Sequence, residues 1–342
     1  MSRTFFIVGP TATGKSELAA DVARNVGAEI VSADAFQIYR GLDLLTAKPD
    51  ASTVAQTPHH LIGAVPLTEE MNAEKYRRAA CHAIDEIRSH GRLAIVVGGS
   101  GLYVKALTHG LTPLPESDAQ LREKLNAMSL DELRSQLAQV DPETARKIDL
   151  KNRRRVTRAL EICLLAGKPA SAQRQRSSVA ASLREEQTAG FNEIPTNASH
   201  PPSWHYGVAG SEAAAEPGSR IPATGVFVFR DREELYERIN QRVETIFERG
   251  VIEEVRAAGV MSATASQMIG WREIREFLAG KKSLPQCIAE IQQATRRYAK
   301  RQLTWFRRQT NFPMLNLSFL TRNEAVKWMS LRMLSEAGTR DD

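Results

Sequence analysis

Apolar residues gather into three short runs near the start of the chain, each bounded by glycine or polar residues. Thr4-Phe5-Phe6-Ile7-Val8, Ala28-Glu29-Ile30-Val31-Ser32 and Leu93-Ala94-Ile95-Val96-Val97 have strand length. Runs this dense in apolar residues suit strands buried on both faces. Between them the spacing changes to three and four. Leu18, Ala19, Val22, Ala23 and Val26 stripe one helix that stops at Gly27. Tyr76, Ala80, Ala83, Ile84 and Ile87 stripe a second, between Asn72 and His90, that stops at Gly91. Strand, helix, strand, helix, strand with glycine-rich exits predicts an α/β fold: a parallel sheet with helices on both faces.

Pro113 and Pro115 mark a change of character, and residues 117–170 carry no strand pattern. Ser129 with Glu132 forms a capping box before Leu133, Leu137 and Val140, which should be buried. Asp141-Pro142 reads as an N-cap with proline at the first helical position. Val156, Leu160, Cys163 and Leu164 stripe a further helix that ends at Gly167, with Pro169 beyond it. The expectation is an all-helical insertion over 116–174. Residues 175–222 are rich in Ala, Ser, Gln, Glu and Pro without periodicity, with Trp204 and Tyr206 as large aromatics; an extended, partly disordered connection is expected there.

The strand pattern returns at Val226-Phe227-Val228-Phe229, which can rejoin the first sheet. Asp231 and Glu234 are spaced as a second capping box, before a helix striped by Leu235, Ile239, Val243 and Ile246. Glu290 to Arg308 reads as a long helix with a basic face. The core domain is thus discontinuous, 1–115 with 223–334, and the tail from Ser335 to Asp342 is expected to fray.

Composition narrows the class. With 42% apolar and 25% charged residues the 342-residue chain is not wholly disordered, and a net charge of +6 permits a polyanionic partner. Cys81, Cys163 and Cys287 are odd in number and far apart, which argues against a disulfide framework or zinc ribbon and suits a reducing cytoplasm. The start leads straight into the first strand, so no signal peptide is expected, and no run has the length expected of a membrane span. Nothing calls for an oligomer, so a monomer is expected.

Candidate chemistry begins at Gly9-Pro10-Thr11-Ala12-Thr13-Gly14-Lys15-Ser16, which fits G-x-x-x-x-G-K-[ST] between a strand and a helix. In such a turn successive N–H groups face one concavity above a helix N-terminus; Lys15 adds charge and Ser16 a hydroxyl for Mg2+. Read alone, the loop suggests ATP. Asp34 falls just beyond the second strand and Ser100 just beyond the third, where open α/β sheets bind ligands. A carboxylate beside a phosphate site serves equally as general base or as metal ligand. The third strand ends in Gly98-Gly99-Ser100-Gly101 without the acid that nucleotide hydrolases carry, which argues against a motor or switch. His59-His60 has no third ligand at useful spacing, so a structural role is expected.

Two basic clusters remain. Lys151, Arg153, Arg154, Arg155 and Arg158 form one; Arg296, Arg297, Lys300, Arg301, Arg307 and Arg308 form the other, interleaved with Tyr298, Trp305 and Phe306. Cationic runs with aromatics able to stack on bases favour nucleic acid over a solvated face.

These stretches resemble the bacterial tRNA dimethylallyltransferase family over nearly the whole chain. The likeness is carried by Gly9 to Ser16, Ser32 to Tyr39, Thr46-Ala47-Lys48-Pro49, Pro58 to Leu61, Val97 to Tyr103, Arg155 to Glu161, Gln267 to Glu273 and Ala299 to Arg307. The resemblance implies transfer of a dimethylallyl group from dimethylallyl diphosphate, with Mg2+, to N6 of adenosine 37 beside the anticodon, in tRNAs reading UNN codons. It implies that Gly9 to Ser16 grip the diphosphate, helped by Arg232, that Asp34 accepts the adenine proton, and that Ser100 orients the base. It implies contacts to the tRNA anticodon stem-loop from Asp34, Ala35, Phe36, Gln37, Ser100, Arg122, Arg154, Arg155, Val156, Thr157, Arg158, Arg301 and Trp305. Family members usually carry Thr at Ser100, Ser at Ala35 and Gly at Leu45. A P-loop kinase is the rival, and it leaves both basic clusters without a purpose.

Overall fold

The computed structural model describes residues 4–111, 114–172 and 223–338. The connection expected over 175–222, with Trp204 and Tyr206, lies outside the described residues, as do the last four residues of the tail. The chain divides into two compact units, Met1–Gly110 with Pro217–Asp342, and Leu111–Glu216.

The first unit is built on six strands: β1 (Thr4–Val8), β2 (Glu29–Ser32), β3 (His59–His60), β4 (Ala94–Gly98), β5 (Thr224–Phe229) and β6 (Met314–Asn316). They form one sheet in the order β3-β2-β4-β1-β5-β6, every pair parallel. The register Thr4↔Ala94 and Val8↔Gly98 lets β1 and β4 end together, which brings their glycine-rich exits side by side. Alternate side chains serve opposite faces, as the pleat requires. Phe6, Val8, Val31, Val96 and Phe227 enter one core; Phe5, Ile7, Ile30, Ile95, Val97, Val226 and Val228 enter the other. Both faces are buried, which is why the strand sequences lack polar alternation.

Helix α1 (Lys15–Val26) and the C-terminal helix, introduced below, cover one face. Between β2 and β4 come α2 (Ala51–Gln56) and α3 (Ala73–Ser89), and after β4 comes α4 (Gly101–Thr108); α3 and α4 cover the other face. Gly27 ends α1 at φ 66° and its N–H bonds Ala23, the stop the pattern predicted.

The second unit holds α5 (Ala119–Ala127), α6 (Leu130–Val140), α7 (Pro142–Lys147) and α8 (Arg153–Ala166). The capping box before α6 forms: Glu132 N donates to Ser129 Oγ at 3.2 Å and Ser129 N to Glu132 Oε2 at 2.6 Å. Asp141 caps α7, accepting from Thr144 N at 3.0 Å, with Pro142 in the first turn. Leu133, Leu137, Val156, Leu160 and Cys163 are buried as expected, but Val140 and Leu164 are 40% and 47% exposed. Each lies at the edge of its stripe, where the described residues do not cover it.

After β5 the first unit resumes with α9 (Arg232–Glu248), α10 (Val251–Ala257), α11 (Trp271–Leu278), α12 (Leu284–Gln309) and, beyond β6, α13 (Arg322–Gly338). The capping box expected of Asp231 and Glu234 does not form. Asp231 instead accepts from Asn316 Nδ2 at 2.9 Å, and Glu234 accepts from Arg230 and Ser318, so contacts with the β6 end outcompete the local pair. The long basic helix begins six residues earlier than expected, capped by Ser283 with Gln286 reciprocating at 2.9 Å. Strands β3 and β6 escaped the sequence pattern because two and three residues are too few to show a period. The tail expected to fray from Ser335 is helical to Gly338.

Candidate active site

Three chain segments meet at the carboxyl ends of β1, β2 and β4. The first is the phosphate loop. A Cβ on Gly9 would stand 2.2 Å from Val228 O, so only glycine lets the chain leave β1 this close to β5. Ala12 at φ 65° and Gly14 at φ 87° take left-handed conformations that turn successive N–H groups inward. Thr13 Oγ1 and Lys15 Nζ both donate to Pro10 O, at 3.0 and 3.2 Å, and brace the loop from inside.

A ring of arginines surrounds it, and sequence reasoning missed three of its members. Arg238 Nε donates to Ala12 O at 2.9 Å, Arg230 Nε to Thr13 O at 3.0 Å and Arg242 Nη1 to Thr11 Oγ1 at 2.9 Å. Arg238 and Arg242 are one helical turn apart on α9, bordering the buried stripe of Leu235 and Ile239, which itself packs Ala12. That position, charged yet flanking a buried stripe, was the available signal. Arg232, the arginine singled out from the sequence, is exposed and lies over the Tyr236 ring at 5.2 Å.

Burial under this ring pushes the Lys15 ammonium down to about 8, against the opposing pull of Asp34 and with the further repulsion of Arg242. Burial likewise lowers Arg242, again opposed by Asp34 and Glu17. The loop and Asp34 therefore share one electrostatic field.

Asp34 begins the second segment. Its Oδ1 accepts from Phe36 N at 2.9 Å and Gln37 N at 3.3 Å, so the carboxylate is locked on its own turn. Among the described residues no hydrogen bond engages Oδ2. Ala35 N donates to Ser100 Oγ at 2.9 Å, which joins this turn to the third segment, and the Ser100 hydroxyl also faces the Tyr298 phenol. Gln37 Nε2 faces Ala47 O at 2.8 Å, so its amide holds the Thr46-Ala47 loop; Phe36 and Ala35 pack on the core below. Tyr76 stacks on Tyr103 with ring centroids 3.9 Å apart. Burial raises Tyr76, Tyr103 and Tyr298 well above the ordinary phenol, and the Asp34 charge raises each further. Asp34 thus stands among one ammonium, one guanidinium and three phenols that keep their protons.

The third segment, Gly99-Ser100-Gly101, is pressed against α12. The Trp305 ring stands 2.5 Å from where a Gly101 Cβ would be, and Gln302 bonds both Thr11 N and Gly99 O at 2.9 Å. Arg301 lies over the Tyr298 ring at 5.7 Å. Gln302 is a further residue that the sequence reading left out of the site.

In the helical unit, α8 separates its cations. Arg154 and Arg155 are exposed. Arg158 and Arg122 both donate to Glu161 Oε2, at 2.7 and 2.8 Å, while Ser117 Oγ and Asp118 N donate to Oε1 at 2.9 and 3.2 Å; Glu161 is fully buried. Burial alone would raise Glu161, but these donors hold it below the usual carboxylate range. Val156 and Thr157 are buried, so their side chains hold α8 to its own unit. His59 and His60 form the edge strand β3, with His59 Nδ1 2.8 Å from Thr57 O and His60 Nε2 2.7 Å from Glu29 Oε2.

Ser16 is half-buried in the first turn of α1, and its hydroxyl makes no hydrogen bond among the described residues. A hard oxygen donor at this place fits Mg2+ held jointly with phosphate oxygens. No described helix is long and apolar enough to cross a membrane.

A parallel α/β sheet, a phosphate loop ringed by arginines, and a carboxylate and hydroxyl at the neighbouring strand ends define a P-loop group-transfer protein. The sequence model described as "IPP transferase" matches residues 37–309. tRNA dimethylallyltransferase 1 of Citrifermentans bemidjiense is 40% identical over 302 residues, 87% of each chain. The tRNA dimethylallyltransferase of Akkermansia muciniphila is 37% identical over 98% of this chain and 99% of its own. The full-length tRNA isopentenylpyrophosphate transferase of Bacillus halodurans superposes with a TM-score of 0.65 at 29% identity, covering 98% of this chain and 97% of that one. A eukaryotic dimethylallyltransferase acting on tRNA has the same fold, with a TM-score of 0.71 at 22% identity over 97% of this chain and 80% of that one. The chain belongs to the IPP transferase family.

Proposed function

We propose that this protein is a tRNA dimethylallyltransferase, moving a dimethylallyl group from dimethylallyl diphosphate to N6 of adenosine 37, next to the anticodon, in tRNAs reading UNN codons. The observation that carries the reading is the meeting of a cationic phosphate loop with Asp34 and Ser100, in a chain of this family. The loop N–H groups, Lys15, Arg238 and Arg242 bind the diphosphate and favour the charge that builds as the allylic C–O bond breaks. Its bonding pair leaves with the diphosphate. The N6 lone pair forms the new bond to the allylic carbon, and an N6 proton passes to Asp34 Oδ2. Ser100, already accepting from Ala35 N, donates its hydroxyl hydrogen to the base and fixes its approach. Mg2+ on Ser16, when bound, neutralises part of the diphosphate charge.

The base must leave the anticodon stack to reach this site, which requires grip on the RNA around it. Arg154 and Arg155 supply charge for the backbone, while Arg301 and Trp305 offer a cation and an aromatic face near Ser100's loop. The enzyme works as a cytoplasmic monomer. The deciding assay incubates the protein with tRNA, Mg2+ and dimethylallyl diphosphate, then digests the RNA and seeks prenylated adenosine by mass spectrometry. Phosphoryl transfer from ATP without prenylated adenosine would return the site to the kinase class.

A further inference from the structure

Gln302 lies inside α12, 5% exposed, and uses both ends of its amide on backbone groups of different loops. Oε1 accepts from Thr11 N in the phosphate loop at 2.9 Å; Nε2 donates to Gly99 O, beside Ser100, at 2.9 Å. One end meets a donor and the other an acceptor, so the amide has a single satisfactory orientation. A Cβ on Gly99 would stand 2.2 Å from Nε2, so this approach depends on glycine there. Tyr298 and Trp305, four residues before and three after, share the helix face. Ser100 and Gln302 both act on the Tyr298 phenol, and the Trp305 ring closes on Gly101. One face of α12 therefore touches the loop that takes the leaving group and the loop that holds the acceptor.

We infer that Gln302 is a positioning residue for the alkyl transfer, setting the separation between the diphosphate loop and the Asp34–Ser100 pair. The inference rests on the transferase reading above. Displacement at the allylic carbon needs nitrogen and carbon aligned within about 3–3.5 Å, and a misplacement of about 1 Å costs on the order of 100-fold in rate. The strand ladder joins the loops one step earlier, through Gly9 N and Gly98 O at 3.2 Å; Gln302 extends that tie to the residues that face substrate.

The test compares the full chain with Gln302→Met and Gln302→Glu, measuring kcat, both KM values and thermal midpoints over a range of pH. Gln302→Met keeps the length and loses both hydrogen bonds; kcat should fall about 100-fold while each KM changes less than about threefold. In Gln302→Glu an ionised carboxylate opposes Gly99 O, whereas the protonated acid donates to that carbonyl and still accepts from Thr11. Burial raises such a carboxyl, so the ratio of variant to wild-type kcat should recover as pH falls towards the acid side of neutrality. A ratio flat with pH overturns the hydrogen-bonded role. So does a Gln302→Met protein with wild-type kcat, or one whose loss is wholly a lowered thermal midpoint with unchanged kcat per folded molecule. If wild type itself makes no prenylated adenosine, the transferase reading falls and this inference with it; an active wild type beside an unimpaired Gln302→Met sinks the inference alone.

Discussion

Among the described residues Asp34 is hydrogen-bonded on one oxygen and not on the other, and that asymmetry suits a proton acceptor. Asn in its place keeps an oxygen for Phe36 N and Gln37 N, so the turn should persist. Proton uptake is lost. We expect Asp34→Asn to bind tRNA as wild type does and to lose about 10²- to 10⁴-fold in kcat, measured by single-turnover prenylation; full turnover would remove Asp34 from the base role. A second carboxylate tests stability rather than chemistry. Asp141 is 1% exposed and accepts from Thr144 N, Ser171 N and Ser171 Oγ. Burial would raise it, but these donors together hold it at about 2, below the unfolded value of 3.8. A lowered folded value gives stability that is fully present above the unfolded pKa and lost as pH falls through the folded one. Asp141→Asn should therefore cost about 2 kcal/mol near neutrality and converge with wild type towards pH 2, followed by denaturant unfolding. A constant difference across that range would assign the effect to packing.

At the scale of elements, α8 divides its arginines between two tasks. Arg154 and Arg155 face solvent, while Arg158 shares the buried Glu161 with Arg122. Alanine at Arg154 and Arg155 should weaken tRNA binding and flatten its salt dependence by up to about two units of slope, with the thermal midpoint unmoved. Glu161→Ala, which leaves two guanidiniums without their buried partner, should cost about 3–5 kcal/mol in stability. If salt slope and midpoint moved together in the first variant, those arginines would be structural too. The helix signals in this unit were readable because caps and stripes are local, and Ser129, Asp141 and Gly167 act where their sequence places them. The four longer strands and the phosphate loop were readable for the same reason. What escaped was decided across the fold. Nothing in the local sequence around Gln302 says that its amide will meet Thr11, 291 residues away. Arg238 and Arg242 read as ordinary charges on an amphipathic helix until β5 sets α9 against the loop. Glu234 looked like a cap partner until β6, too short to detect, brought Ser318 to it at 2.5 Å.

For the whole molecule the phosphate loop is where binding and stability join. A ligand that binds only the folded chain stabilises it, by about 2.7 kcal/mol at a hundred times its Kd. Pyrophosphate with Mg2+, the leaving group of the proposed reaction, should therefore raise the thermal midpoint. Lys15 makes that rise depend on pH. Its folded value of about 8 lies below the ordinary 10.5, so the unfolded chain binds the extra proton between these values and the unliganded protein gains stability as pH rises through them. The anionic ligand has the opposite requirement: above about pH 8 it must restore the proton to Lys15 on binding, so its affinity falls by up to about tenfold per pH unit. These are two views of one proton linkage, and it shrinks the ligand-induced shift across that window. Lys15→Arg holds its charge throughout and should give a shift that does not break near pH 8, while Lys15→Met should give a small shift at every pH. Thermal melts with and without pyrophosphate, run at several pH values on the three proteins, decide it: a wild-type shift that stays level from pH 7 to 10 would mean that Lys15 does not carry the charge that binds the diphosphate.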